Sequence, residues 1–221
     1  MKLATLQKLG GIALIAGSAL FAAYSVLLPA LLPVAEARRD LTLLVQTPWW
    51  TWLALVALAG ISLMLFGFAA VYVRIYARSG ALGLLGFVFV ELAYVLQGAK
   101  VTWELCLYPV IARHEAAAAL LRNGVLFATP RVAVFRAVSS LTILIGIVLF
   151  CFALVRSTEF PKASGVLVFA GALMYGAGPV LGIRMAGVFV LALGCVVLGV
   201  ALVGAPAAGR ETSGAPGLEV P

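Results

Sequence analysis

The sequence predicts an all-α, polytopic transmembrane bundle of about six helices, and three observations carry that expectation. Of the 221 residues, 64% are hydrophobic and 10% are charged, against about 45 to 50% and about 25% in an average soluble domain. Mean hydropathy is +1.17, and the apolar residues gather into blocks of about 20, the length that crosses a hydrocarbon core at about 1.5 Å per residue. A transmembrane barrel would instead show segments of about ten residues alternating apolar and polar, and no such alternation occurs.

The first apolar block covers about 9–33, after a basic start at Lys2 and Lys8. Ala35, Glu36 and Ala37 beyond it mimic a signal-peptidase site, but the apolar run far exceeds the about 7 to 15 residues of a signal peptide, so an uncleaved first helix is expected. The next segment carries Arg38, Arg39 and Asp40, then an apolar stretch, then Pro48, Trp49 and Trp50. Adjacent tryptophans fit the aromatic belt at a membrane interface, which makes this a loop on the membrane surface. The second block covers 51–76 and ends on Arg74 and Arg78, with Ser79 and Gly80 as a tight turn into the third, 81–107.

The third block holds the ionisable residues Glu91, Lys100 and Glu104 before Pro109 bends or ends it. Residues 113–131 have a helix-forming start, a stop at Asn123 and Gly124 and a breaker at Pro130, and they are too short and too charged to span, so a surface helix and loop are predicted. A fourth block, 133–155, ends at Arg156 and a turn with Pro161 and Lys162. The fifth, 164–182, is divided by Arg184 from the sixth, 186–203. Residues 1–204 thus form one transmembrane domain. Residues 205–221, rich in Gly, Pro, Ala and Ser, are expected to be a flexible tail.

Lys and Arg are nearly balanced between alternate sides of this topology, so the short connections decide orientation. Arg74, Arg78, Arg156 and Lys162 share the side of Lys2 and Lys8. Both termini are therefore expected in the cytoplasm, in a cell membrane of the bacterial inner-membrane kind. An internal similarity pairs Leu65 to Ala69 with Leu149 to Ala153, and Ser79, Gly80, Leu82 and Gly86 with Ser164, Gly165, Leu167 and Gly171. It suggests a repeated hairpin, although apolar composition alone generates such matches.

Depth singles out Glu91, which falls near the bilayer centre if the third helix enters at Ala81. An ionised carboxylate there is costly, so the group must be neutral, hydrogen-bonded or facing water. It is either a proton- or ligand-contacting carboxyl or a neutral donor to a neighbouring helix, with Ser62, Thr142 and Tyr175 as candidate partners. Gln97, Lys100 and Glu104 lie at spacings of three and four, hence on one helix face. Glu91 points nearly the opposite way. A Lys100 to Glu104 pair, with Lys100 snorkelling to the headgroups and Arg136 nearby, competes with a polar vestibule that admits substrate. Arg74 and Arg78, beside Tyr72 and Tyr76, are interfacial anchors and candidates for an anionic-lipid site. Small residues at Ala172 with Gly176, and Gly178 with Gly182, predict close helix packing, and Gly178 with Pro179 a kink.

The formal net charge of +7 does not indicate nucleic acid, because the cations are scattered singly and form no basic stripe. Cys106, Cys151 and Cys195 are an odd number without a CxxC pair, and His114 is the single histidine, so neither a disulfide framework nor a metal site is expected. Walker, GxSxG and HExxH motifs and paired histidines do not occur. No cofactor is implied and no catalytic constellation is visible. Three functions fit in descending order: a non-catalytic bundle that binds membrane lipids or another apolar molecule, or packs as a subunit of a larger complex; a small proton-coupled transporter using Glu91; and a membrane-embedded enzyme with Glu91 or Glu104 as general acid.

Overall fold

A computed structural model describes residues 3–33, 40–122, 129–177 and 181–204. Lys2, Arg38, Arg39, the Asn123 and Gly124 stop, the Gly178 and Pro179 step and the tail at 205–221 lie outside them. Regular structure among the described residues is entirely helical. Helix α1 is Leu3–Leu31, beginning before the apolar block because the first turns carry Lys8 and other exposed residues beyond the apolar run. A short α2, Thr42–Val45, lies in the first connection. The Asp40 carboxylate initiates it, accepting from the Thr42 backbone N–H at 2.9 Å and from the Thr42 hydroxyl at 2.6 Å. That hydroxyl is the main reason the Asp40 carboxyl sits below its ordinary range.

The helical stretch Trp49–Cys106 is broken at Gly80, where φ is 57° and ψ is −157°. This combination is essentially closed to residues with a Cβ, so the glycine permits the reversal. The two arms, α3 (49–79) and α4 (81–106), fold back on each other. Tyr72 and Phe87 stack with ring centroids 4.4 Å apart, Phe68 meets Tyr94 at 5.6 Å, and the Trp50 indole N–H donates to the Glu104 carbonyl at 3.2 Å. After Leu107, α5 (Tyr108–Arg113) carries Pro109 in its first turn, where a missing N–H is tolerated. The surface helix expected at this point is α6, Glu115–Arg122. Then follow α7 (Pro130–Ser157), α8 (Lys162–Ala177) and α9 (Leu181–Gly204).

The long helices close a ring in the order α1, α3, α4, α7, α8, α9 and back to α1. Neighbours approach closely through glycine. A Cβ on Gly86 would lie 2.5 Å from the Phe150 nitrogen of α7, and one on Gly146 would lie 2.7 Å from the Val90 nitrogen of α4. The α8 and α9 pair repeats the device, with Gly171 against Leu191 and Gly187 against Tyr175. Gly86 and Gly171, matched in the proposed hairpin repeat, therefore each hold their helix to the next one. Ser79 and Gly80 form a turn, however, whereas Ser164 and Gly165 lie inside α8. Of the expected packing positions Ala172 packs against the apolar cluster, while a Cβ at Gly176 or Gly182 would meet nothing within 4 Å among the described residues. The helical phase puts Gly171 on the packed face instead.

The ring is filled by one apolar cluster that includes Leu14, Met64, Phe68, Val90, Phe150, Cys195 and Leu198. Its two ends differ. At the cap end, Leu32, Leu44, Trp50, Leu53, Tyr108 and Leu121 form a second cluster beneath α2, α5 and α6. At the turn end, α3 passes to α4 at Gly80 and α7 passes to α8 through Thr158 to Pro161.

Four helical stretches among the described residues are long and apolar enough to cross a membrane: Leu3–Leu31, Trp49–Arg113, Pro130–Ser157 and Gly182–Gly204. Length and composition thus establish a membrane-type bundle with four candidate spans and leave the expected six unconfirmed. The difference has two sources. The second stretch contains both α3 and α4, and α8, at 16 residues, extends only about 24 Å against a hydrocarbon core of about 30 Å.

Candidate functional site

Glu91 lies about 16 Å along α4 from the Gly80 turn at the helical rise, between the packed Val90 and the exposed Leu92. Its carboxyl is half-buried, and its Oε1 is buried without a hydrogen-bond partner among the described residues. None of the three expected partners reaches that atom. Ser62 instead donates to the Leu58 carbonyl of its own helix at 2.9 Å, and Tyr175 sets its ring edge against Phe21 at 5.5 Å. Thr142 is buried on α7. Glu91 and the Lys100 to Glu104 pair remain separate, as expected from helical phase.

Lys100 and Glu104 pair at 3.5 Å. Lys100 of this pair lines a groove at the cap end. The groove holds a cavity of about 180 Å³ lined by Lys100, Trp103, Leu107 and Tyr108 on one side and Phe135 and Arg136 on the other. Trp103 and Phe135 stack across it with centroids 5.8 Å apart. The groove lies where the helical path that continues from α4 through Leu107 into α5 passes the start of α7. Lys100, Arg136, Trp103 and Tyr108 are thereby brought together, while Gln97 and Glu91 stay outside the lining. Among the described residues no carboxylate lies within 4 Å of the Arg136 guanidinium.

At the turn end Glu159 binds two arginines: Arg74 Nε donates to Oε2 at 3.0 Å and Arg78 Nη1 pairs with Oε1 at 2.6 Å. Arg78 also reaches the Thr158 hydroxyl at 3.4 Å. Sequence reasoning identified both arginines but not Glu159. No local spacing reveals that pair, because the partners stand 85 residues apart and meet only when two hairpin turns lie side by side. Arg156, across the same turn, lies over the Phe152 ring at 5.4 Å.

A group of partly exposed polar side chains in the cap half of the bundle was also missed. Arg184 lies over the Tyr175 ring at 5.3 Å, and Tyr24 is within electrostatic reach of Glu104, Tyr175 and Arg184. Tyr24 and Arg184 come from the first and last helices, so ring closure alone unites them. His114 is exposed between α5 and α6. Cys151 and Cys195 are buried free thiols and Cys106 is an exposed one. No cluster of three metal-binding side chains occurs among the described residues.

Searches against protein-family profiles, curated proteins and solved structures find no match, so no fold family or activity reaches the chain through a relative.

Proposed function

We propose that the chain is a non-catalytic, six-span bundle of a cell membrane that binds an anionic amphiphile, a lipid or another apolar molecule with an acidic head, in the groove between α4–α5 and α7. The six-span topology is supported by the reversal at Gly80, since each arm of that hairpin exceeds the about 20 residues a span needs. The short α8 lies against α9 and fits if the bilayer thins locally. Cytoplasmic termini are supported by Arg74, Arg78, Arg156 and Lys162, which share the turn end with Lys8.

One observation carries the binding reading: two cations line an aromatic and aliphatic groove, and among the described residues Arg136 has no carboxylate within 4 Å. An amphiphile satisfies both parts, its acidic head at Lys100 and Arg136 and its apolar part against the rings of Trp103 and Phe135. Arg136→Gln should reduce retention of phosphatidylglycerol in native mass spectrometry about fivefold, the effect of about 1 kcal/mol per basic residue near an anionic headgroup. Trp103→Ala should reduce retention of neutral and anionic lipids alike. Unchanged retention in both variants, each folded by its melting curve, rejects the groove as the site.

A second reading, a proton-coupled transporter, is favoured by the partnerless Glu91 Oε1. Against it, Phe68, Phe150 and Leu198 fill the ring where a water path would run. Proteoliposomes loaded with a pH dye separate the two. A proton flux abolished by Glu91→Gln, with the fold intact, establishes transport. If Gln is silent and Glu91→Leu lowers thermal stability, the carboxyl is structural. The enzyme reading requires a second polar group within hydrogen-bond reach of that carboxyl oxygen, and among the described residues it has none.

A further inference from the structure

The turn end contains a second cavity, of about 310 Å³, between the Gly80 reversal and the end of α7. Its lining combines Arg78, Ser79 and Arg156 with Leu82 and Phe152. The volume is several times the about 30 Å³ share of a water molecule, enough for a phosphate group and part of its ester. A Cβ built on Gly80 would meet nothing within 4 Å, so the backbone there borders open space.

Charge decides what that space suits. Glu159 offers one oxygen to Arg74 and the other to Arg78, so one carboxylate answers two guanidiniums. Arg156 is exposed, and among the described residues no carboxylate lies within 4 Å of it. Two arginines on opposite walls thus carry an unbalanced positive charge, beside a serine hydroxyl and the first turn of α4, whose dipole also favours an anion. Leu82 is 43% exposed and Phe152 49% exposed. These apolar residues flank the cations, as expected where a charged head meets a hydrocarbon tail.

We infer that the cleft formed by Arg78, Ser79, Gly80 and Arg156 is a binding site for a phosphate-bearing anion, separate from the groove at the cap end. The phosphate sits between the two guanidiniums, and any attached ester chain leaves along Leu82 and Phe152. A phospholipid headgroup and a free phosphate share this chemistry.

The test uses the full chain carrying Arg136→Gln, so that the cap-end groove contributes little, and compares Arg156→Gln with Lys162→Gln in that background. Lys162 is an exposed cation at the same end but does not line the cleft. Binding is read as the rise in melting temperature on titrating phosphatidylglycerol, phosphatidylcholine or inorganic phosphate. The cleft requires Arg156→Gln to weaken the anion response about fivefold and Lys162→Gln to leave it nearly unchanged. A response to phosphatidylglycerol that inorganic phosphate does not compete away identifies a lipid headgroup. A response to inorganic phosphate alone identifies a soluble phosphate. Equal losses in the two variants mean a diffuse surface potential, and no loss in Arg156→Gln means an unused cleft; either overturns the inference.

Discussion

At the cap end two of the three connections, α1 to α3 and α4 to α7, are long enough to form helices of their own, and α2, α5 and α6 bury Leu44, Tyr108 and Leu121 against Trp50 and the last turns of α1. At the turn end the connections are only a few residues long and contain no helix, and Glu159 ties α3 to the α7–α8 turn through Arg74 and Arg78. The contrast follows from chain length. A long connection can form a layer with its own apolar face, whereas a turn of one to four residues has few side chains to bury and is held here by polar contacts. The same difference shapes the two cavities, an aromatic groove under the long connections and a cleft lined by arginines beside the short ones.

The largest expected effect that would break this comparison is at Trp50. Its side chain is 8% exposed, it packs in the cap cluster, and its N–H is bonded to the Glu104 carbonyl across the α3–α4 hairpin. Trp50→Ala should destabilise the protein by about 3 kcal/mol, the lower end for removing a buried large aromatic, measured as thermal unfolding in mild detergent. A loss under about 1 kcal/mol would mean that the cap does not hold its end through apolar packing.

The fold was legible where the signal is local. Block length located α3, α4 and α7 to within three residues at each end, while α1 and α9 begin six and five residues before their apolar blocks, because the apolar run is a local signal and the polar first turns of a helix are not part of it. Ser79 with Gly80, and Pro109, located the reversal and the break after α4, because positive φ and a missing N–H are properties of single residues. The number of spans was less secure, since α8 has only 16 helical residues and the sequence shows no sharp limit near Arg184. In the candidate sites, Lys100, Glu104 and Arg136 were legible from spacing and depth. Glu159, Tyr24 and Arg184 were not, since each gains its meaning from a partner on a distant helix. The packing glycines were misassigned because Gly171 and Gly176 look equivalent until the direction of the neighbouring helix is known.

A smaller effect sharpens the comparison at the other end. Glu159→Gln keeps the size of the side chain but removes the charge from two ion pairs, at 3.0 Å to Arg74 and 2.6 Å to Arg78. Arg78 is 61% exposed, while Arg74 and Glu159 are 22% and 18% exposed, so water screens one pair strongly and the other in part. The loss of stability should be about 1 kcal/mol, well below that at Trp50 and further reduced in high salt. The same substitution should act in the opposite direction on binding, because Arg78 is then free to face the cleft shared with Arg156. Phosphatidylglycerol should raise the melting temperature more in Glu159→Gln than in the parent protein, while phosphatidylcholine should not distinguish them. A variant that loses stability and also loses its preference for the anionic lipid would show that Glu159 orders the cleft, making the ion triad and the anion site one unit instead of competitors for the same arginine.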